Sequence, residues 1–224
     1  MINAAVILAV EALGFTFTCK EFKGMDTMRY NVTIKYNGKR VAMGINDGNG
    51  GESMVEAYDK SWKDLCKQIE AIFAAQPPVI IEYGDGEGKN FESKYDWDFF
   101  FEELIIVTDL RKKVASGKTV FIFDNGVQTE QYVFNHPPTP QLLAKCLADP
   151  KLKGFKEFRQ LMGMSMPTDA EIDAIMRKEA EKEAKKGKTL GVRDGLMVVF
   201  NCAPALSNMI KLREKHPTVR FFAN

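Results

Sequence analysis

Asn37-Gly38 stands between two runs that alternate polar and apolar residues, Arg29 to Tyr36 (RYNVTIKY) and Lys39 to Ile45. Asn-Gly supplies the positive φ angles of a tight two-residue turn, so the two runs are expected to fold back on each other as a hairpin. Phe15 to Phe22 (FTFTCKEF) alternates as strongly, with Phe15, Phe17 and Cys19 on one face, and Lys23 to Asp26 reads as a turn. Three consecutive antiparallel strands follow from that pattern. The loop Asn46 to Gly51 then leads to Ser53 and Glu56, which have the spacing of a capping box. Val55, Tyr58, Trp62, Leu65, Ile69 and Ile72 recur at intervals of three and four, which predicts a helix from Ser53 to Gln76 laid over the sheet.

Around this centre the punctuation is clear. Ile2 to Leu13 reads as an apolar helix capped by Asn3 and closed by Gly14. Pro77-Pro78 stops the Ser53 helix, Val79 to Tyr83 and Asn90 to Tyr95 form a strand pair about a glycine-rich turn, and Asp96 to Ser116 forms a helix closed at Gly117. Thr119 to Phe123 and Val127 to Phe134 make a second hairpin. Thr139 and Pro140 open a helix whose apolar face is Leu142, Leu143, Cys146 and Leu147. Gly154 to Met162 is a short helix, and Thr168 with Glu171 caps another that runs to Lys186. Leu196 to Phe200, Pro204 to Lys215 and Thr218 to Phe222 then read as strand, helix and strand. The expected fold class is α+β: an antiparallel sheet with covering helices over 1–135, a helical segment over 136–188, and a terminal β-α-β piece over 189–224 on the same core.

Composition narrows the function classes. The 31 basic and 30 acidic residues nearly cancel, so the chain lacks the basic excess of a non-specific nucleic-acid binder and the acidic excess of a nucleic-acid mimic. The four cysteines are widely spaced with no CxxC pair, and with two histidines to join them they predict buried thiols in a reducing compartment, neither disulfides nor zinc ligands. Met1 to Leu13 has no basic leader and contains Glu11, so it reads as a core helix rather than a signal peptide, and a cytoplasmic protein is expected.

Candidate chemistry meets a structural explanation at each place. The Gly48 to Gly51 loop before a helix start would suit an anion, yet it lacks a P-loop ending, and Asp47 and Glu52 repel anions. The carboxylates Glu82, Asp85, Glu87, Glu92, Asp96, Asp98, Glu102 and Glu103 crowd one region, where two or three converging would hold a divalent metal or act as acid and base. Without a matching calcium-loop pattern or a nearby histidine, the region reads instead as an acidic contact surface with Trp97 among its aromatic residues. His136 and His216 both precede proline, and no nucleophile signature surrounds any cysteine or serine. The run Arg177 to Lys188, carrying Arg177, Lys178, Lys182, Lys185 and Lys186, reads as a solvated helical face or a second contact surface.

Two stretches, Ala12 to Gly51 and Pro138 to Lys178, carry a resemblance. Met28, Arg29, Tyr30, Val32, Thr33, Tyr36, Gly38 and Lys39 match an MRRY-x-VT-x-x-Y-x-GK hairpin. Pro138, Thr139, Leu143, Cys146, Leu147 and Asp149 match a PT-x-x-x-VL-x-CL-x-SDA helix, followed by Phe155, Phe158, Thr168 and Asp169. Over roughly a third of its length the chain therefore resembles small uncharacterised accessory proteins of bacteriophages and prophages, with Ser53 to Asn135 as an insertion and Leu190 to Asn224 as an extension. The resemblance implies no cofactor, metal or catalytic residue. It implies a viral protein in the cytoplasm of a bacterial host that inhibits a defence complex, such as a CRISPR effector, by stoichiometric binding. Its contact residues would be Asp85, Glu87, Asp96, Trp97, Asp98, Glu102 and Glu103, or Arg177, Lys178, Lys182, Lys185 and Lys186. The alternatives are a metal-dependent enzyme acting on a nucleotide or nucleic acid through the 82–103 carboxylates, and nucleic-acid binding through the 177–188 helix and Arg193.

Overall fold

Asn3 caps the first helix as its residue type implies: its side chain accepts a hydrogen bond from the Val6 N–H, and α1 (Ala4–Ala12) ends at Gly14 with φ 97°. In this computed structural model, which describes residues 2–22, 29–82, 90–124 and 129–222, the chain then enters β1 (Phe15–Phe22), β2 (Arg29–Tyr36) and β3 (Lys39–Asn46). Asn37 and Gly38 take φ of 47° and 79°, so the β2–β3 turn is the one the dipeptide favours. Pairing is antiparallel throughout, Thr18 opposite Thr33 and Thr33 opposite Met43, and Tyr30, Val32 and Ile34 alternate into the core.

The helix expected from Ser53 starts later. Met54–Ala57 forms β4, antiparallel to β3, which completes a four-stranded sheet in the order β1-β2-β3-β4. The Ser53 hydroxyl meets the Tyr30 phenol at 2.6 Å and the Ser53 N–H donates to Asp98 Oδ1 at 2.7 Å, so both capping groups are committed to distant residues. Asp59, ion-paired with Lys39, instead accepts from the N–H and hydroxyl of Ser61. Helix α2 (Trp62–Ala74) follows, buried along Trp62, Leu65, Ile69 and Phe73.

Strands β5 (Val79–Glu82) and β6 (Asn90–Ser93) pair antiparallel as expected. Asp96 then accepts from the N–H groups of Asp98 and Phe99 and starts α3 (Trp97–Ala115). This helix, rather than the one predicted from Ser53, covers the sheet. Phe100 packs edge-on against Phe17, Phe101 against Tyr30, and a Cβ on Gly44 would fall 2.3 Å from the Phe101 ring, so only glycine admits α3 at this distance. Helix α2 packs on α1 and on the same aromatic cluster through Trp62 and Phe73. A two-pronged Arg111–Glu11 ion pair, 2.6 and 2.8 Å, ties α3 to α1.

The chain divides into two compact units, Met1–Arg111 with Asp124–Thr129, and Lys112–Phe123 with Glu130–Asn224. The second contains most of the hairpin β7 (Thr119–Asp124) and β8 (Thr129–Phe134), followed by α4 (Pro140–Ala148), which Thr139 caps through the Leu142 N–H. Leu142 and Cys146 are buried on α4, whereas Leu147, expected on the same face, is 76% exposed. The predicted helix over 154–162 is only partly helical: Lys156–Glu157 forms β9 on the edge of β7, and α5 (Phe158–Leu161) follows.

Helix α6 (Asp169–Lys185) carries the full Thr168/Glu171 capping box and buries Ile172, Met176, Ala180 and Glu183. The terminal piece has a strand that the sequence pattern did not reveal, β10 (Thr189–Arg193), joined to β11 (Leu196–Phe200) through Asp194 and Gly195 at φ 53° and 73°. After α7 (Leu206–Lys215), β12 (Arg220–Phe221) pairs with the far side of β10, giving the order β11-β10-β12 with both pairings antiparallel. The expected strand-helix-strand crossover therefore passes over an intervening strand and leaves β11 on an edge.

Candidate functional site

The acidic-aromatic residues singled out from the sequence are mostly absorbed by the first unit's own architecture. Asp85 and Glu87 lie outside the described residues. Asp96 caps α3 and Asp98 holds the Ser53 N–H. Trp97 packs against Trp62, Phe73, Phe100 and Phe101. Glu103 is 3% exposed and accepts from the Tyr95 hydroxyl, and that burial and charge push the Tyr95 phenol far above its usual range. Glu102 is exposed; desolvation, and after it the Asp98 and Asp96 charges, raise its carboxyl. Among the described residues no group of three or more His, Cys, Asp or Glu is arranged to hold a metal ion. The glycine loop at 48–51 runs into β4, so no helix start stands behind it to attract an anion.

On α6, Arg177, Lys178, Lys182, Lys185 and Lys186 are all exposed. Two of them are offset by acids one turn back, Lys182 by Glu179 at 3.0 Å and Lys186 by Glu183 at 2.5 Å. The mixed charge makes this face a salt-bridged helix surface rather than a continuous basic stripe.

A cleft of about 580 Å³ lies elsewhere in the second unit, within the range of roughly 300–1,000 Å³ that ligand pockets occupy. Leu142, Cys146 and Leu152 supply apolar lining from α4 and the 3-10 turn at Pro150–Leu152, and these residues belong to a cluster that Phe121 completes. Leu190, Met197 and Val199 line the cleft from β10 and β11, Glu179 and Glu183 from α6, and His136 from the segment after β8. The local sequence explains the placement. Thr139 caps α4 while its hydroxyl donates to the Gly195 carbonyl at 3.3 Å, and a Cβ on Gly195 would fall 2.7 Å from Gln141, so α4 begins against the β10–β11 turn.

The cleft brings together a histidine, a cysteine, carboxylates and lysines, the side chains of acid-base and nucleophilic chemistry. Hydrogen bonds and ion pairs commit the histidine and the carboxylates to structure. His136 is 7% exposed; its Nε2 accepts from the Met197 N–H at 2.6 Å, which leaves the proton on Nδ1, 2.7 Å from the Pro137 carbonyl it donates to. Both ring nitrogens are occupied by backbone, and burial lowers the imidazole pKa, so the ring is a neutral clamp between the linker and β11. Burial, then the Asp149 carboxylate, pushes the Cys146 thiol up, away from the thiolate a nucleophile needs.

The charges at the rim are uneven. Glu179 and Glu183 already face Lys182 and Lys186, and Asp149 accepts from the Lys151 N–H. Lys145 and Lys188 line the cleft with no ion pair to either among the described residues. Reading the sequence missed this site because its parts come from four separated segments, and β10, which aligns one wall, was unrecognised. The His136-Pro137 step before a capped helix was the one local signal available. Among the described residues no helix is long and apolar enough to cross a membrane. Comparison of the chain with protein-family models, with curated proteins and with solved structures returned no match.

Proposed function

We propose that the protein is a non-enzymatic binding module that acts by occupying a partner protein, with the second-unit cleft as its contact site. The observation that carries this reading is His136: the cleft's imidazole has both ring nitrogens engaged by backbone, and the Cys146 thiol in the same lining is pushed towards its neutral form. What remains available to a ligand is apolar lining, backbone, two lysines and the Asp149 carboxylate, which suit recognition rather than turnover. The resemblance to phage accessory proteins supplies the partner class, a bacterial defence complex such as a CRISPR effector, in the cytoplasm of the host. Under this reading the acidic residues at 96–103 serve the fold of the first unit.

The test is a tagged pull-down from a bacterial host lysate, with captured proteins and nucleic acids quantified together and the capture repeated in EDTA. One protein complex recovered near one-to-one, with no effect of EDTA, is expected. Recovery of the bait alone, or inhibition of a captured effector at far below equimolar amounts, would overturn the reading.

A further inference from the structure

The outer edge of β11 has an unusual arrangement of backbone groups. Met197 donates its N–H to His136, so it turns away from β10, and the Leu190 carbonyl accepts from the Phe222 N–H on the opposite side. In the observed register Val192 faces Met197 and Leu190 faces Val199, so both are the non-hydrogen-bonded pairs of the ladder. The N–H and C=O of Val199, and the C=O of Met197, therefore point outward from the sheet. The strand itself, Leu-Met-Val-Val-Phe, is apolar along its whole length, and Val199 is 50% exposed. Edges of this kind accept a further strand unless something blocks them. Here His136 blocks only the Met197 donor, and the open part borders the cleft.

We infer that the β11 edge at Val199 is a strand-acceptor site for an extended segment of the partner protein, one that carries alternating apolar residues flanked by carboxylates. The inference rests on the binding-module reading and deepens it. Strand addition takes affinity from main-chain hydrogen bonds and specificity from pockets that receive alternate side chains. Val199 provides the hydrogen-bonding pair, and the lining of Leu142, Cys146 and Leu190 receives an apolar side chain. Charge selects the flanks. Among the described residues Lys145, Lys188 and Asp149 are the cleft's charges outside an ion pair, two positive against one negative, whereas Glu179 and Glu183 are paired with Lys182 and Lys186. A second copy of this chain meets that requirement at one end only, because its β11 is preceded by Asp194 beside Arg193 and followed by the uncharged Asn201.

The test uses the full chain and the peptide acetyl-Glu-Val-Ile-Val-Glu-amide, followed by NMR. Saturable shifts at the Val199 and Met197 amides, with slowed hydrogen exchange at Val199, are expected. A backbone N-methylated form of the peptide, and the wild-type peptide added to Val199→Pro, should each bind roughly tenfold more weakly, because each loses outward hydrogen bonds. Proline at 199 removes only an outward donor, so protected Leu196 and Val198 amides serve as the check that the β10–β11 ladder survives. A Lys145→Glu, Lys188→Glu double variant should prefer the lysine-flanked analogue of the peptide.

No shift at Val199 with millimolar peptide, equal affinity for the N-methylated form, or a Val199 shift caused by self-association without peptide would each overturn the inference. A partner captured equally by wild type and Val199→Pro would also overturn it while leaving the binding-module reading in place. Peptide binding at Val199 with no protein captured from lysate would instead retain the edge site and remove the stoichiometric-inhibitor reading.

Discussion

Gly44→Ala measures how closely α3 sits on the sheet. A Cβ at position 44 falls 2.3 Å from Phe101 Cζ and 2.5 Å from Cε2. Relief to ordinary contact needs a retreat of about 1 Å in an interior packed almost as densely as an organic crystal. Flipping the ring cannot supply it, since Cζ lies on the flip axis. Translation is opposed by Tyr30, Trp97 and Phe100, whose rings stand 6.1, 5.3 and 6.0 Å from that of Phe101, itself 0% exposed. Overpacking of this kind costs roughly 1–3 kcal/mol, offset by about 0.5–1 kcal/mol for removing a glycine from a regular element. A net loss of about 1–2 kcal/mol is therefore expected. The chain's two tryptophans, Trp62 and Trp97, both belong to the first unit, so fluorescence-detected urea unfolding reports that unit. Phe101→Leu in the Gly44→Ala background should recover part of the loss, with a coupling of about 1 kcal/mol in the double-mutant cycle. A variant as stable as wild type, or a strictly additive double variant, would refute the close-approach argument.

In the second unit, Arg159 is 4% exposed and donates to the Val114 and Lys118 carbonyls, with Glu157 beside it at 3.4 Å. Arg159→Met strands these acceptors and should destabilise the unit by roughly 3–5 kcal/mol in CD-detected urea unfolding, whereas a loss under 1 kcal/mol would count against the buried network. His136 gives an acid dependence with a definite sign. Its folded pKa is lowered, and the unfolded chain takes up the proton near the ordinary value of about 6.5. Its stabilising contribution is therefore complete above that pH and lost as pH falls through 6.5 towards the folded value. Hydrogen exchange at the Met197 amide, corrected for intrinsic rate, should accelerate between pH 7.5 and 5.5 in wild type and lose that dependence in His136→Asn. Thr168→Ala removes the α6 capping box and should cost about 1 kcal/mol, while Thr168→Ser should restore most of it.

Legibility in the sequence followed the range of the interactions. The Asn37-Gly38 turn, the Asn3 cap, the Asp96 start of α3 and the Thr168/Glu171 box are each decided within a few residues, and each was predicted in place. Ser53 and Glu56 carried the same kind of signature, but Tyr30 and Asp98 claim the Ser53 groups and β3 claims Met54 to Ala57. Local pattern was outweighed there by partners 23 and 45 residues away. Strand β10 was hidden for a related reason. Gly191 weakens its apolar pattern, yet the glycine is what lets Val219 approach, since a Cβ there would lie 2.4 Å from Val219 Cγ1.

The candidate site shows the same division between residue type and placement. Carboxylates dense in sequence at 82–103 suggested convergence, but Asp96, Asp98 and Glu103 turn to a helix start, the Ser53 N–H and a buried tyrosine, each with its own task. The side chains that do gather, His136, Cys146, Lys145 and Lys188, are unremarkable in sequence and nine or more residues apart except for the adjacent pair on α4. What they form also differs from what their types suggest. A histidine beside a cysteine invites a nucleophile and a base, yet the backbone N–H of Met197 occupies the nitrogen that would act as base. That single hydrogen bond takes the imidazole nitrogen out of use as a base and fills the Met197 donor on the outer edge of β11, so the bond that argues against a histidine–cysteine pair is also the one that confines the open edge to Val199.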